Sequence, residues 1–186
     1  PISAQLELVE PNALLKQFVS FFTPEFNEKH IAISTTLCPD CPRLLLDQKL
    51  FREVIVNLAQ NALAAITERF PDCNADKAFS SCSGRLTITS EVKDEHYILR
   101  FSDNGIGMTE ETVAHIFEPY FTTKANGTGL GLAMAYKIIK EFSGDISVQS
   151  EKGTGTTFTI TLPVPQKDKR LLTYTGGAAD TAGETP

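Results

Sequence analysis

The stretch DNGIGM at residues 103–108 directly follows an apolar, strand-like run, and a second stretch, GTGLGL, follows at residues 127–132. Glycine at alternate positions lets the backbone adopt positive φ and lets a flat or anionic ligand approach the main chain. Asp103 can only accept hydrogen bonds when ionised, so in a half-buried pocket it favours a donor such as the adenine amino group. The first stretch therefore predicts a ligand-binding turn that prefers adenine to guanine.

The second glycine stretch precedes an apolar-periodic segment that predicts a helix from about Gly131. A glycine-rich turn at a helix N-terminus offers unpaired N–H groups and the positive end of the helix dipole to phosphate. Either stretch alone is more typical of a surface turn than of a nucleotide site, but the pair favours a nucleotide site. A P-loop would need Gly-Lys-Ser or Gly-Lys-Thr, and a dinucleotide fingerprint would need a strand directly before its glycines; neither is present.

A predicted helix capped by Asp47 and running to about Glu68 carries two unusual amides. Its apolar residues share one stripe, and Asn57 and Asn61 border that stripe. Asparagine is mildly unfavourable inside a helix because its side chain competes for backbone partners. From the residues alone, both a structural polar network and a ligand-binding role explain the pair.

The composition restricts the class of partner. The chain has 186 residues and a formal net charge of -6, with a pI of about 5.1. Duplex nucleic acid requires a basic face, so we expect no nucleic-acid partner. No apolar run approaches the length of a membrane helix, and no targeting segment is recognisable, so we expect no direct membrane insertion of this chain and a cytoplasmic location.

The four cysteines leave two interpretations open. Cys38 and Cys41 have the spacing of half a zinc site, which Cys73 and Cys82 could complete. Free thiols in a reducing cytosol are the simpler expectation.

Periodicity places the remaining elements. In the first half of the chain it predicts a helix capped by Asn12 and ended by Pro24, a strand over 31–37 and an inserted loop over 69–84. A hairpin of 85–92 and 96–102 and a short helix after Thr109 follow. The last predicted elements are a helix ending with Gly144 at its C′ position and strands over 145–150 and 156–162. Residues 1–10 are interpreted as a linker remnant and residues 164–186 as a disordered tail, which leaves one domain over 11–163.

Four segments together resemble the ordered boxes of the sensor histidine kinase catalytic domain. They are NLAQNA at 57–62, DNGIG at 103–107, FEPYFTTK at 117–124 and GTGLGL at 127–132. Their order, spacing and content all agree, and the resemblance covers roughly residues 10–163. It implies an α/β two-layer sandwich of the Bergerat type, in which about three helices cover one face of a mixed β-sheet and a mobile lid over 118–126 closes on ATP.

The resemblance also implies residue roles. Asn61 would ligate Mg²⁺ through its carbonyl oxygen, Asn57 would lie near the phosphates, and Lys124 would reach the phosphates from the lid; we group these three as catalytic. The residues expected to contact the nucleotide are Asp103, Gly105, Gly107, Gly127, Thr128, Gly129, Leu130, Gly131 and Thr156.

By resemblance, the chain transfers the γ-phosphoryl group of ATP to a histidine on a dimerisation and phosphotransfer region that this chain lacks, and a response regulator acts downstream. Its own histidines, His30, His96 and His115, fall in a strand, a hairpin and the lid region, where we expect no acceptor. Hydrolases of the superfamily carry a glutamate general base at the place of Asn57, and an amide cannot accept that proton. An ATP hydrolase, a serine or other protein kinase of the superfamily and a nucleotide-sensing module remain the alternatives.

Overall fold

A mixed sheet and three long helices form the framework of the computed structural model, which describes residues 2–71, 83–125 and 127–166. In chain order the elements are β1 (Glu7–Val9), α1 (Pro11–Glu28), β2 (Ala32–Thr36), β3 (Leu44–Leu46), α2 (Gln48–Arg69), β4 (Arg85–Lys93), β5 (His96–Asp103), α3 (Glu110–His115), α4 (Gly131–Glu141), β6 (Asp145–Glu151) and β7 (Gly155–Pro163). The five-stranded sheet has the order β2-β4-β5-β7-β6, with β2 parallel to β4 and the other pairs antiparallel.

One face of this sheet forms the core. Because side chains alternate along a strand, the apolar positions of β4, β5 and β7 all point to the same side. The buried residues of these strands are Leu86, Ile88, Tyr97, Leu99, Phe101, Phe158, Ile160 and Leu162. Helices α1, α2 and α4 contact the sheet. The expected α/β sandwich with a mixed sheet and three covering helices is confirmed.

Helix α2 follows its sequence pattern closely. The Asp47 carboxylate accepts hydrogen bonds from the backbone N–H groups of Lys49 and Leu50, at 3.0 and 3.2 Å, and so caps the helix as predicted. The predicted stripe is buried at Phe51, Val54, Ile55, Leu58, Ala62 and Ile66, and Ala65 is half-buried. This burial fixes the rotation of the helix, and Asn57 and Asn61 therefore lie at the edge of the core.

Helix α1 differs from its prediction at both ends. It begins at Pro11, which needs no N–H partner in the first turn, and it continues through Pro24 to Glu28. Phe22 and Phe26 lie on either side of Pro24 and are both buried, at 5% and 1% exposure. Burial of these two rings offsets the backbone hydrogen bond that proline removes.

Asn12 was predicted to cap α1, but its side chain belongs instead to a buried polar network. Its amide nitrogen donates to the carbonyl oxygen of Cys38 at 2.7 Å, and its amide oxygen accepts from Ser90 at 3.2 Å and from Tyr97 at 3.1 Å. These partners lie on or next to the sheet, so the network joins α1 to it. Because these tertiary partners bind the Asn12 side chain, it does not cap the helix.

A second, two-stranded sheet was not predicted. β1 pairs antiparallel with β3, and Val9, Leu44 and Leu46 are buried. β1 lies within the residues that we interpreted as a linker remnant. Each strand has three residues, which is too short for an alternating pattern to be recognised from sequence.

The end of α4 was also predicted incorrectly. The residue with positive φ is Ser143, at 58°, rather than Gly144. Gly144 is instead packed closely, since a Cβ there would lie 2.6 Å from the carbonyl oxygen of Thr161. Most of the predicted inserted loop (72–82, with Cys73 and Cys82) and residues 167–186 of the predicted tail lie outside the described residues. None of the helices that the structure describes has the length and apolar character needed to cross a membrane.

Candidate functional site

Asp103 lies at the end of β5, half-buried and opposite Thr156 of β7. Burial raises the pKa of Asp103 to about 6, and backbone N–H groups of Gly105 and Thr156, which donate to the carboxylate, oppose that rise. The Gly105 bond is 2.8 Å long. Asp103 borders a cavity of about 520 Å³. At neutral pH an acceptor-only carboxylate therefore lines this cavity.

The turn after Asp103 is packed against α2. A Cβ on Gly105 would lie 2.5 Å from the carbonyl carbon of Ala65, and Ile106 donates its N–H to the Ala65 carbonyl oxygen at 2.9 Å. Gly107 has φ of 70° and lies against the backbone of Glu151. Gly107 lines the cavity with Asp103, whereas Gly105 lines neither this cavity nor the larger one described below. The first glycine stretch thus allows close backbone packing at both of its glycines.

Ser150 connects the same turn to the β6–β7 pair. Its hydroxyl accepts from the N–H of Met108 at 2.9 Å and donates to the carbonyl oxygen of Gly155 at 3.0 Å. It also contacts the Thr156 hydroxyl at 2.8 Å. Thr156 lines the Asp103 cavity, with its hydroxyl paired to Ser150. No sequence pattern indicated this role of Ser150, because two of its partners are main-chain groups, which carry no residue signature.

The three residues grouped as catalytic form one chain of contacts. The Asn61 amide nitrogen donates to the Asn57 amide oxygen at 3.2 Å, and the Lys124 ammonium donates to the Asn61 amide oxygen at 2.9 Å. Burial lowers the pKa of Lys124. The Asn61 oxygen thus faces a cation, as a metal-ligating oxygen would.

The donor set around Asn61 fits Mg²⁺. This hard cation takes oxygen ligands and usually keeps only one or two from protein, with the rest from phosphate and water. Among the described residues no group of three or more His, Cys, Asp or Glu side chains could hold a metal ion. Cys38 and Cys41 are unbridged, and burial raises the pKa of the Cys41 thiol to about 12, which disfavours a thiolate ligand.

The second glycine stretch lies around Asn57 and the lid. Gly131 begins α4 and leaves room for the Asn57 amide, which a Cβ would overlap. Gly129 has φ of 72°, and its carbonyl oxygen accepts from the N–H of Tyr120 at 2.9 Å. The residues of this stretch that line the larger cavity, of about 960 Å³, are Gly127, Thr128, Gly129, Leu130, Gly131 and Leu132.

Aromatic contacts hold the start of the lid. The Phe117 ring lies 5.5 Å from Tyr136 of α4 and 6.3 Å from Phe158 of β7, between ring centroids. The His115 ring donates a hydrogen bond through Nδ1 to the Glu118 carboxylate at 2.9 Å and contacts Phe121. The lid therefore starts from a fixed point over the two cavities.

The two cavities meet at the contact between Asn61 and Lys124. Both of these residues line both cavities, together with Ile116, Thr123 and Leu132. A ligand extending from Asp103 to the second glycine stretch must pass Asn61 and Lys124. This arrangement places an acceptor-only carboxylate, a cation-facing amide and a glycine-rich helix start one after another along the joined cavities.

The chain is similar to known families and proteins. A model of the family described as "Histidine kinase-, DNA gyrase B-, and HSP90-like ATPase" matches residues 46–166. Sporulation kinase E of Bacillus subtilis is 34% identical over 154 residues, which are 82% of this chain and 19% of that protein. Sensor histidine kinase ZraS of Escherichia coli is 31% identical over 164 residues, 88% of this chain and 32% of that protein. The chain thus spans about a fifth to a third of these relatives' length.

Solved structures agree in fold. The catalytic domain of histidine kinase ThkA has a TM-score of 0.71 and 26% identity, with coverage of 86% of this chain and 96% of that one. ThkA in complex with response regulator protein TrrA has a TM-score of 0.68 and 25% identity, over 86% of this chain and 42% of that one. Full-length ShkA in complex with AMPPNP has a TM-score of 0.72 and 25% identity, over 89% of this chain and 32% of that one.

Proposed function

The chain belongs to the family of histidine kinase-, DNA gyrase B- and HSP90-like ATPases, as an ATP-binding catalytic domain of the histidine kinase type, and from this premise we propose that it binds ATP with Mg²⁺ and transfers the γ-phosphoryl group to a histidine elsewhere in its parent protein. The observation that carries the proposal is the order of groups along the joined cavities. Asp103 lies at one end, the Asn57–Asn61–Lys124 contacts lie in the middle, and the second glycine stretch lies beyond them.

The residues suit phosphoryl transfer, which depends mainly on positioning and charge neutralisation. Asp103 accepts from the adenine amino group, and Thr156 borders the base. Asn61 holds Mg²⁺, which would neutralise charge on the phosphate oxygens. Lys124 and the N–H groups of the second glycine stretch bind phosphate oxygens. Asn57 is an amide bonded to Asn61, so it offers no general base for water, which disfavours hydrolysis.

The acceptor histidine must come from another part of the parent protein. None of His30, His96 and His115 lines either cavity. The His115 ring is bonded to Glu118 at the start of the lid. The partners we propose are a dimerisation and phosphotransfer region, which supplies the acceptor, and a response regulator, which takes the phosphoryl group from it. The ThkA complex with a response regulator supports the second partner. We also propose a cytoplasmic location with the ATP pool.

The experiment uses γ-labelled ATP with Mg²⁺, and follows both protein label and released phosphate. The chain is incubated with and without its parent's upstream region, and the Asp103→Asn variant serves as the control for nucleotide-dependent label. Acid-labile, base-stable label that appears only with the upstream region supports a histidine kinase domain. Free phosphate without that region would identify a hydrolase instead, and acid-stable label would identify a serine or other hydroxyl acceptor.

A further inference from the structure

Arg69, the last residue of α2, contacts three backbone carbonyl groups of two different loops. Its Nη1 donates to the carbonyl oxygen of Asn104 at 2.8 Å, of Gly105 at 3.5 Å and of Thr154 at 2.9 Å. The guanidinium carbon also lies 5.1 Å from the centre of the Phe70 ring. One side chain therefore joins the turn after β5 to the turn between β6 and β7. No element of the sequence pattern indicated this role, because carbonyl partners carry no residue signature.

The Asn104–Gly105 peptide bond links the Arg69 contact to the Asp103 carboxylate. The peptide unit is planar and trans, so its C=O and N–H groups point in opposite directions. The carbonyl oxygen of this unit accepts from Arg69 at 2.8 Å, and its N–H donates to the Asp103 carboxylate at 2.8 Å. Arg69 holds one end of the peptide plane, and the other end is thereby aimed at Asp103.

The second loop contact acts on the other donor to the same carboxylate. Thr154, which accepts from Arg69, lies two residues before Thr156, whose backbone N–H donates to Asp103. One backbone donor to Asp103, Gly105, thus lies in a turn that Arg69 braces, and the other, Thr156, lies near the start of β7, directly after the second braced turn. The side chains of Arg69 and Asp103 share no direct contact in this arrangement, and Arg69 lines neither cavity.

We propose that Arg69 is a positioning residue for base recognition, which orients the Asp103 carboxylate through the Asn104–Gly105 peptide plane and the β6–β7 turn. The proposal rests on the proposed function of Asp103 as acceptor for the adenine amino group. It adds a residue outside the four boxes that resemble the kinase family. Loss of Arg69 removes the donor to the carbonyl end of the peptide plane and leaves the Gly105 N–H less firmly aimed at the carboxylate.

The test compares Arg69→Met with Arg69→Lys, and Arg100→Met is the matched control because Arg100 forms a surface ion pair with Glu91 at 3.2 Å. Affinities for ADP and for inosine diphosphate, which lacks the amino group, are measured by calorimetry on variants shown to be folded by thermal unfolding. We expect Arg69→Met to weaken ADP binding about tenfold, the order for losing hydrogen bonds from a charged group, and to change inosine diphosphate binding much less. Arg69→Lys keeps the charge and donors but not the planar geometry, so we expect an intermediate loss.

A second measurement separates positioning from a general loss of structure. The Asp103 titration is followed by carboxyl-carbon NMR, and loss of oriented N–H donors should move the Asp103 pKa above its value of about 6. Among the described residues, Glu68, Lys124 and Lys152 are the other charged side chains that line the Asp103 cavity, and none is altered. An equal loss of both nucleotides, or an unchanged Asp103 titration in Arg69→Met, would overturn the proposal. If Asp103→Asn binds ADP normally, the function assigned to Asp103 fails instead, and the titration alone then decides whether Arg69 orients the carboxylate.

Discussion

At the residue scale, Asp103 combines two opposing requirements. Its burial disfavours the charged form, whereas the binding of an adenine amino group that we propose for it requires that form. Two backbone N–H groups donate to the carboxylate and stabilise its charge without neutralising it. The charged carboxylate therefore lowers the stability of the folded domain but provides a specific hydrogen-bond acceptor. Such a conflict between stability and binding is common at binding sites.

We expect Asp103→Asn to weaken adenine nucleotide binding by about 1–3 kcal/mol, because the amide presents a donor or a weaker acceptor to the amino group. The same change should stabilise the domain at pH 7 by on the order of 1–3 kcal/mol, since it removes a carboxylate whose ionisation is costly. Calorimetry measures the first effect and urea unfolding the second. A variant that binds normally would remove Asp103 from base recognition.

The raised pKa of Asp103 also makes the stability of the domain depend on pH. The pKa of Asp103 in the folded state, about 6, lies above the ordinary 3.8, so the folded state holds this proton more tightly than the unfolded state. The Asp103 contribution to stability is therefore full below about pH 4 and is lost as the pH rises through about 6. Urea unfolding of the Asn variant at several pH values should lack this loss. An identical pH profile in both proteins would contradict the assignment.

Asn61 gives a second prediction at this scale. Asn61→Ala removes the oxygen that now accepts from Lys124, so ATP binding should lose its dependence on Mg²⁺ while ADP binding without metal is retained. Asn61→Asp keeps an oxygen ligand at the same position and should retain the Mg²⁺ response. Titrations of nucleotide with and without Mg²⁺ measure both variants. A normal Mg²⁺ response in Asn61→Ala would show that another group binds the metal.

At the element scale, the lid is attached to the start of α4 by backbone contacts rather than by apolar packing of its tip. Tyr120 is 78% exposed, yet its N–H donates to the carbonyl oxygen of Gly129. Both residues have positive φ, at 67° and 72°. The position of the lid therefore depends on close approach of two main chains, which only glycine permits at residue 129.

We expect Gly129→Ala to displace the lid, because its Cβ would collide with the backbone of Tyr120 and Phe121. Gly153→Ala is the matched control: Gly153 also has positive φ, at 84°, but a Cβ there would meet nothing within 4 Å. Both changes carry the backbone cost of about 1–2 kcal/mol for a side chain at positive φ. Hydrogen exchange of the Tyr120 amide should accelerate only in Gly129→Ala. Equal rates in the two variants would show that the contact does not hold the lid.

At the scale of the whole molecule, the first residues belong structurally to the small β1–β3 sheet. Val9 is buried, and the N–H of Gln5 donates to the carboxylate of Asp47 at 2.9 Å, next to the start of α2. Of residues 2–20, which the structure describes, none lines either cavity. The amino-terminal segment thus contributes to stability and not to the site.

We expect a chain that begins at Pro11 to be less stable than the full chain by about 2 kcal/mol, the order of burying one valine side chain, with unchanged nucleotide affinity. A chain that begins at Ala4 keeps β1 and the Gln5 contact, and should unfold at nearly the same urea concentration as the full chain. Urea unfolding and ADP calorimetry measure both. Equal stability of all three chains would support a domain boundary at residue 11.

The sequence by itself determined the features that depend on local periodicity and residue type. The stripe of α2 with its Asp47 cap and the alternation of β4, β5 and β7 predicted the main elements of the sandwich. The glycine stretches, with the resemblance to the kinase catalytic domain, indicated the residues that we propose to bind the nucleotide. Hydrophobic periodicity encodes which face is buried, and glycine marks where the backbone must turn or approach closely, so these features can be read without a fold.

Only the tertiary structure decided features that depend on partners distant in the chain. Pro24 lies inside α1 because Phe22 and Phe26 are buried around it, and Asn12 leaves the capping role because Ser90 and Tyr97 bind it. The brace formed by Arg69 is of the same kind, since its acceptors are main-chain carbonyl groups 35, 36 and 85 residues away. Every residue has such a carbonyl, so composition and spacing cannot identify which ones a side chain meets; the packing of α2 against two turns determines that choice.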